Sequence, residues 1–278
     1  MPLDAMLFDT HCHLDAAEFD HDREQVIARA QAAGVKAIVI PAVEVANFER
    51  VRLLAHSFEQ GFYALGIHPM YVERAAPEAL EQLREALLQH RADPRLIAVG
   101  EIGLDFFIPE ISSGEPRAKQ ELFYEAQLKL ALELDLPVLL HVRRSQDSIL
   151  KYLRRHRVRG GIAHAFNGSL QQAQQFVDLG FALGSGGAMT FERALQIRRL
   201  AKELELSALV LETDAPDISP AWLAKGARNE PLEVQQIALT LAELRGCSVG
   251  EVMKTTAQTA RRVCPGLAII THQCSSCL

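Results

Sequence analysis

The segment KQELFYEAQLKLALELDLPVLLHV, residues 119–142, joins two hydrophobic patterns that together indicate the fold. In residues 119–135, apolar side chains recur at spacings of three and four, which is typical of an amphipathic helix. Residues 136–142 form a short apolar run without polar alternation, which is typical of a strand covered on both faces. A helix followed by such a strand is the repeating unit of a parallel sheet.

Apolar runs of this kind occur eight times along the chain, with amphipathic stretches between them. Eight buried strands that alternate with helices fit a closed (β/α)8 barrel, the TIM barrel, and we expect this α/β fold. A doubly wound open sheet is the alternative, but it offers a ligand only one switch point. The runs are residues 6–11, 36–42, 62–68, 96–102, 136–142, 160–166, 181–187 and 208–213.

The composition excludes several classes of protein. With 278 residues, 49% of them hydrophobic and 23% charged, the chain can bury one large core. No apolar segment approaches the roughly 20 residues that cross a bilayer, and residues 1–9 lack the basic start of a signal peptide. We therefore expect a soluble, cytoplasmic protein. The net charge of −6 gives no global attraction for nucleic acid, so an anionic substrate requires local charge or metal.

Nothing in the sequence divides the chain into separate units. We expect one barrel domain over residues 1–266 and a frayed C-terminal tail over residues 267–278. The five cysteines are an odd number, which fits free thiols better than a disulfide framework. The CSSC at 274–277 is therefore interpreted as a pair of exposed thiols in the tail rather than as a redox or zinc site.

Ionisable residues stand at the carboxyl ends of many predicted strands. In a parallel barrel these ends share one rim, where barrel enzymes carry their active sites. Taken singly, each residue has a plain explanation, such as a hydrogen-bonded core histidine or a carboxylate in an ion pair. Together at one mouth they would be costly to desolvate without a cation, so we predict metal ligands. The predicted ligands are His11, His13, Glu101, His141, His164 and Asp214.

Six ligands are more than one catalytic zinc takes from a protein, and they suit two adjacent divalent ions. Mixed imidazole and carboxylate ligands suit Zn, Mn or, less readily, Mg. A pair of such ions clamps the oxygens of an in-line displacement at phosphorus. We assign to one ion His11, His13, Glu101 and Asp214, and to the other Glu101, His141 and His164, with Glu101 bridging.

These motifs resemble the TatD family of metal-dependent deoxyribonucleases, a branch of the amidohydrolase barrels. The motifs are DTHCHLD (9–15), GIHP (66–69), VGEIGLD (99–105), QLKLALELDLPVLLHVR (127–143), HAFNGS (164–169), LETDAP (211–216) and RNEP (228–231). The resemblance covers about residues 7–264 and implies a (β/α)8 barrel, divalent metals and DNA hydrolysis as a 3′–5′ exonuclease. It implies the same ligand set and adds His68 as a phosphate contact. Departures at GLDFF (103–107), at HAF (164–166) and in the tail concern substrate preference.

The expected chemistry is attack of water on a phosphodiester. We expect Asp214 to act as general base, and His68 to help neutralise the charge that develops at phosphorus. Arg143 is placed either to reach a phosphate oxygen through its fork of donors or to form a salt bridge at the rim.

Aromatic side chains after the fourth and eighth predicted strands are candidates for stacking on unpaired bases. Phe106 and Trp222 are the predicted stacking residues, whereas packing against the barrel is the better interpretation for Phe107. The basic run KYLRRHRVR (151–159) is interpreted as a solvated helix end away from the site.

The expected partner is therefore DNA, single-stranded or at a 3′ end, bound by a monomer that needs no obligate protein partner. An acyl or amide hydrolase, for example an aminoacyl-tRNA deacylase, could use the same metals on a carbonyl. A small-nucleotide phosphatase is a further alternative. A binding protein with a structural zinc site is the least favoured, since such sites are closed and rarely hold two ions.

Overall fold

The computed structural model describes residues 6–271, in which eight parallel strands form one continuous sheet in sequential order. The strands are β1 (Leu7–Asp9), β2 (Val35–Pro41), β3 (Gly61–Leu65), β4 (Leu96–Asp105), β5 (Val138–Arg143), β6 (Gly161–Ala163), β7 (Phe181–Ser185) and β8 (Leu209–Leu211). The sheet closes on itself beyond β1, where the Thr10 amide donates to the Leu211 carbonyl (3.0 Å) and Cys12 forms a parallel bridge with Ala215. The predicted (β/α)8 barrel is therefore confirmed, and the open-sheet alternative is wrong.

Helices cover the outside of the barrel. They are α1 (Arg23–Ala32), α2 (Phe48–His56), α3 (Ala79–Gln89), α4 (Gly114–Leu134), α5 (Gln146–Arg155), α6 (Leu170–Asp178), α7 (Leu195–Glu203), α8 (Val234–Arg245) and α9 (Val249–Val263). The predicted cap of α6 is present, since the Ser169 hydroxyl accepts from the Gln172 amide at 3.1 Å. No helix within residues 6–271 combines the length and apolar character that a bilayer span requires.

The strands separate two apolar layers because successive side chains point to opposite faces. On β2, Ile38 and Ile40 pack with the helices, whereas Ala37 and Val39 face the barrel interior. The interior layer is closed at the amino-terminal end of the strands by the end of α9 and by Leu267, which is fully buried. Only the carboxyl ends of the strands remain available for polar side chains and for a ligand.

The chain after α9 continues as a 3-10 helix, Pro265–Thr271. The first residues of the predicted tail thus pack on the barrel through Leu267. Residues 272–278 of that tail, with the CSSC motif, lie outside the described residues, and a domain over residues 1–266 stays a prediction. The cysteines at positions 12, 247 and 264 are free thiols, as predicted.

Gly161 at the start of β6 provides a test of the close packing between strands. Its φ is +150°, and a Cβ there would overlap the Val138 carbonyl oxygen. We expect Gly161→Ala to lower the free energy of unfolding by at least about 3 kcal/mol, because strain and overlap add. Gly34→Ala is the control, since Gly34 also has a positive φ (+88°) but nothing lies within 4 Å of the added carbon. There we expect a loss of about 1 kcal/mol from strain alone.

Urea denaturation followed by far-UV circular dichroism measures both values. Equal losses in the two variants would contradict a role for the contact between β5 and β6.

Candidate metal centre

The ends of β1 and β8 are joined by one buried carboxylate, Asp9. Its oxygens accept from the Thr213 amide (2.9 Å), the Thr213 hydroxyl (2.6 Å) and the His11 amide (3.3 Å). The Asp214 amide donates in turn to the His11 carbonyl at 2.8 Å. The bonds from Thr213 to Asp9 and from Asp214 to His11 join segments more than 200 residues apart, and they hold His11 and Asp214 side by side at the mouth of the barrel.

Glu101 lies at the centre of the polar mouth and is 1% exposed. The pairing of β4 with β5 shifts register between Val99 and Ile102, so the carboxylate projects from an irregular part of the strand. Five imidazoles surround it: the distances from its oxygens are 3.1 Å to His11 Nε2, 3.4 Å to His13 Nε2, 3.3 Å to His68 Nε2, 3.0 Å to His141 Nδ1 and 2.8 Å to His164 Nε2. The central position is the one expected of a bridging ligand.

Asp214 adds a second carboxylate on the β8 side. It has a left-handed backbone (φ 57°), and its Oδ1 lies 3.6 Å from both His11 Nε2 and His13 Nε2. Three overlapping groups of side chains place ligand atoms within 4.8 Å of one another. These groups are His11, His164 and Asp214; His11, His13 and Glu101; and His68, Glu101 and His141. All six sequence-predicted ligands therefore meet, and His68 joins them.

Burial and neighbouring charges shift the pKa values of these groups in opposite directions. Burial lowers the pKa of His11 to about 3 and that of His68 to about 4, so both rings are neutral at pH 7. Burial also opposes the charge on His13 and His164, but Glu101 outweighs it and raises the pKa of these rings to about 9 and about 10. The surroundings of Glu101 thus favour positive charge.

This donor set fits divalent cations. Imidazole nitrogen and carboxylate oxygen are ligands for Zn and Mn, and five imidazoles and two carboxylates converge here. The buried Nδ1 atoms of His11 and His164 have no hydrogen-bond partner within the described residues. Asp105 lies behind the site, with its Oδ2 3.0 Å from His141 Nε2, and can set the orientation of that ring.

Glu212 supports the β6 side of the site. It is buried, and its Oε1 accepts from the Ala165 amide at 2.6 Å, next to His164. Burial raises the pKa of Glu212 to about 8. Glu212 directly follows β8 but was not among the predicted site residues, and nothing in the sequence indicated this contact.

A cavity of about 890 Å³ opens above Glu101. Phe107 lines it and is 43% exposed, whereas Phe106 is half-buried under the Arg117 guanidinium, 3.9 Å from its ring centroid. Phe107 therefore lies at the cavity and Phe106 packs away from it, which is the reverse of the predicted arrangement. The reason is a turn: Asp105 Oδ1 accepts from the amides of Phe107 and Ile108, which directs Phe107 to the mouth.

The other predicted substrate contacts have different positions. Arg143 lines the cavity, and its Nη1 lies 3.7 Å from Asp105 Oδ2. Trp222 is 40% exposed, but it donates to Glu233 at 2.7 Å and is not among the residues that line the cavity. Base stacking on Phe106 or Trp222 thus has no support from the geometry of the cavity.

Several side chains of the basic run 151–159 form ion pairs with nearby carboxylates. Glu125 accepts from His156 (2.8 Å) and Arg155 (3.4 Å), and Asp135 accepts from Arg159 (3.0 Å). These residues lie at the carboxyl end of α5 and beyond, at the opposite end of the barrel from the cavity. This placement agrees with a solvated helix end.

Comparison with known proteins identifies a family and several relatives of this chain. The family model described as TatD related DNase matches residues 8–265. The chain is 44% identical over 239 residues to an uncharacterized metal-dependent hydrolase, YjjV, of Escherichia coli, covering 85% of this chain and 89% of that protein. It is 34% identical over 270 residues to the human deoxyribonuclease TATDN3, covering 94% and 95% of the two chains.

A crystal structure of the Escherichia coli YjjV protein, described as a TatD homolog, superimposes with a TM-score of 0.88 at 39% identity and covers 95% of this chain and 99% of that one. The family model matches nearly the whole described chain, and both relatives are matched over most of their own length. This chain therefore belongs to the TatD family.

Proposed function

We propose that this protein is a metal-dependent hydrolase that cleaves DNA phosphodiester bonds as a 3′–5′ exodeoxyribonuclease, with two divalent ions. The observation that carries the proposal is the meeting of five imidazoles and two carboxylates around one open cavity. The family model and the name of the human relative support DNA as the substrate. The volume of about 890 Å³ accommodates a nucleotide-sized group.

The residues that would hold the ions are the predicted set, with Glu101 shared between two positions and His68 a further candidate beside it. Divalent cations there would supply positive charge, which eases deprotonation of water and neutralises charge that develops at phosphorus. Their identity is proposed only as Zn, Mn or Mg.

The chain's own groups have separate roles in the proposed reaction. Asp214 lies at the edge of the cluster and lines the cavity, so its carboxylate can accept the proton of the attacking water. His68 also lines the cavity, with its Nδ1 accepting from the Met70 amide at 3.2 Å, which orients the ring. In the neutral ring Nε2 then carries the proton, so it can donate to a phosphate oxygen; it lies 3.3 Å from Glu101.

Removal of metal tests the proposal. We expect dialysis against a chelator to abolish hydrolysis of single-stranded DNA and of bis(4-nitrophenyl) phosphate, and we expect two equivalents of Zn, Mn or Mg per chain to restore it. Thermal unfolding should also shift to lower temperature without metal, because ions that bind only the folded state stabilise it. His141→Ala is the control variant, since it removes one ligand and should prevent full reconstitution.

The same assay separates the alternatives. Turnover of esters or amides without turnover of diesters would contradict the proposal and favour an acyl or amide hydrolase. Activity on mononucleotides alone would favour a phosphatase. Undiminished activity after complete removal of metal would contradict every metal-dependent mechanism.

A further inference from the structure

The walls of the cavity differ in charge. Among the described residues that line it, Arg143 and Arg144 are the only lysine or arginine side chains; Arg143 ends β5 and Arg144 follows it. The wall on the β1 and β8 side carries acidic residues instead. These are Asp15, Glu18 and Asp217. Because β1 lies across an eight-stranded barrel from β5, the two charges face each other over the cluster.

Both arginines pack on the exposed ring of Phe107. The guanidinium carbons lie 3.8 Å (Arg143) and 4.6 Å (Arg144) from the ring centroid. Stacking of this kind holds a guanidinium in place and leaves the edge of its fork free to donate. A phosphate that enters from this side therefore meets donors that are already ordered.

The two arginines differ in what neutralises them. Arg143 lies 3.7 Å from the buried carboxylate of Asp105. Arg144 has no hydrogen bond or ion pair to any residue between 6 and 271, and its described contact is with Phe107. The uncompensated positive charge at the mouth thus belongs to Arg144.

The backbone at Arg144 supports this assignment. Its φ is +55°, in the left-handed region, which is unfavourable for a residue other than glycine. The next residue is anchored, since the Ser145 hydroxyl donates to the Leu104 carbonyl at 2.6 Å. The strained turn brings the Arg144 side chain back over Phe107 and into the wall of the cavity, instead of along the surface of α5.

We propose that Arg144, stacked on Phe107, binds the phosphate next to the one that is cleaved, and that the substrate strand leaves the cavity on the β5–β6 side. This inference rests on the proposed function and makes it more specific. A cationic wall that faces an acidic one favours phosphates on one side of the scissile bond only, and this asymmetry suits removal of terminal nucleotides. Substrates with more than one phosphodiester are therefore preferred over a dinucleotide.

Chain-length preference tests the proposal. We expect Arg144→Gln to lower the ratio of kcat/KM for dT8 to that for dT2 by about tenfold, the loss of one charge-assisted contact. In fluorescence anisotropy with an all-phosphorothioate dT8, the slope of log K against log salt should fall by about 0.7. Arg144→Lys should keep that slope, because it keeps the charge. Arg157→Gln is the matched control: it removes the same charge from an exposed position at the other end of the barrel.

Two results would overturn the inference: a ratio unchanged in Arg144→Gln, or anisotropy that does not distinguish Arg144→Gln from Arg157→Gln. Wild-type protein that cleaves neither dT8 nor bis(4-nitrophenyl) phosphate with any of the three metals would instead refute the proposed function. The anisotropy measurement needs no turnover, so it then decides by itself whether Arg144 binds the strand.

Discussion

Glu101→Gln is expected to reduce kcat for DNA hydrolysis by more than about a hundredfold, since even the partners behind metal ligands are worth 10- to 100-fold. The substitution keeps the shape of the side chain but removes its charge. Glu101 is 1% exposed and lies within 3.4 Å of nitrogen atoms from five histidines. Although burial alone would raise the pKa of Glu101, the histidines hold it well below its ordinary value, so its negative charge is intrinsic to the site.

The measurement combines steady-state kinetics with metal content by mass spectrometry, and we expect metal and activity to be lost together. Glu125→Gln is the matched control. Glu125 also contacts a histidine, His156 at 2.8 Å, but at the opposite end of the barrel. Its activity should stay within about twofold of wild type, as for most surface substitutions. A Glu101→Gln protein with full metal content and full activity would exclude Glu101 as the shared ligand.

Asp214→Asn is expected to lower kcat by about 10²- to 10⁴-fold, the usual contribution of a general base. Asparagine tolerates the left-handed backbone found here (φ 57°), so the loop should keep its conformation. The amide oxygen can still bind a cation, but the amide cannot accept a proton. Activity should therefore fall much further than metal content.

The contrast with Glu101→Gln makes this prediction specific. If Asp214→Asn loses metal and activity in parallel, Asp214 acts as a ligand and some other group removes the proton. If it retains both, the general-base role is wrong. Circular dichroism and thermal unfolding of each variant establish that the barrel itself is unchanged.

The amino-acid sequence by itself determined the barrel and most of the polar cluster. Buried parallel strands are short apolar runs, and this pattern depends only on residues close together in the chain. It predicted all eight strands, and the ends of those strands identified His11, His13, Glu101, His141, His164 and Asp214 as neighbours. The prediction of the strands led to the prediction of the site, because parallel strands of a closed barrel end at a single rim.

Only the tertiary structure decided which side chains turn toward the mouth. Phe107 rather than Phe106 reaches it because Asp105 accepts from two backbone amides in the following turn. Arg144 reaches the mouth because its own backbone is left-handed, and no pattern of apolar residues in the sequence indicates that conformation. Asp9 was not among the predicted site residues, yet it holds Thr213, 204 positions away. Turn geometry and contacts between distant segments arise only when the chain is folded, so local patterns do not contain them.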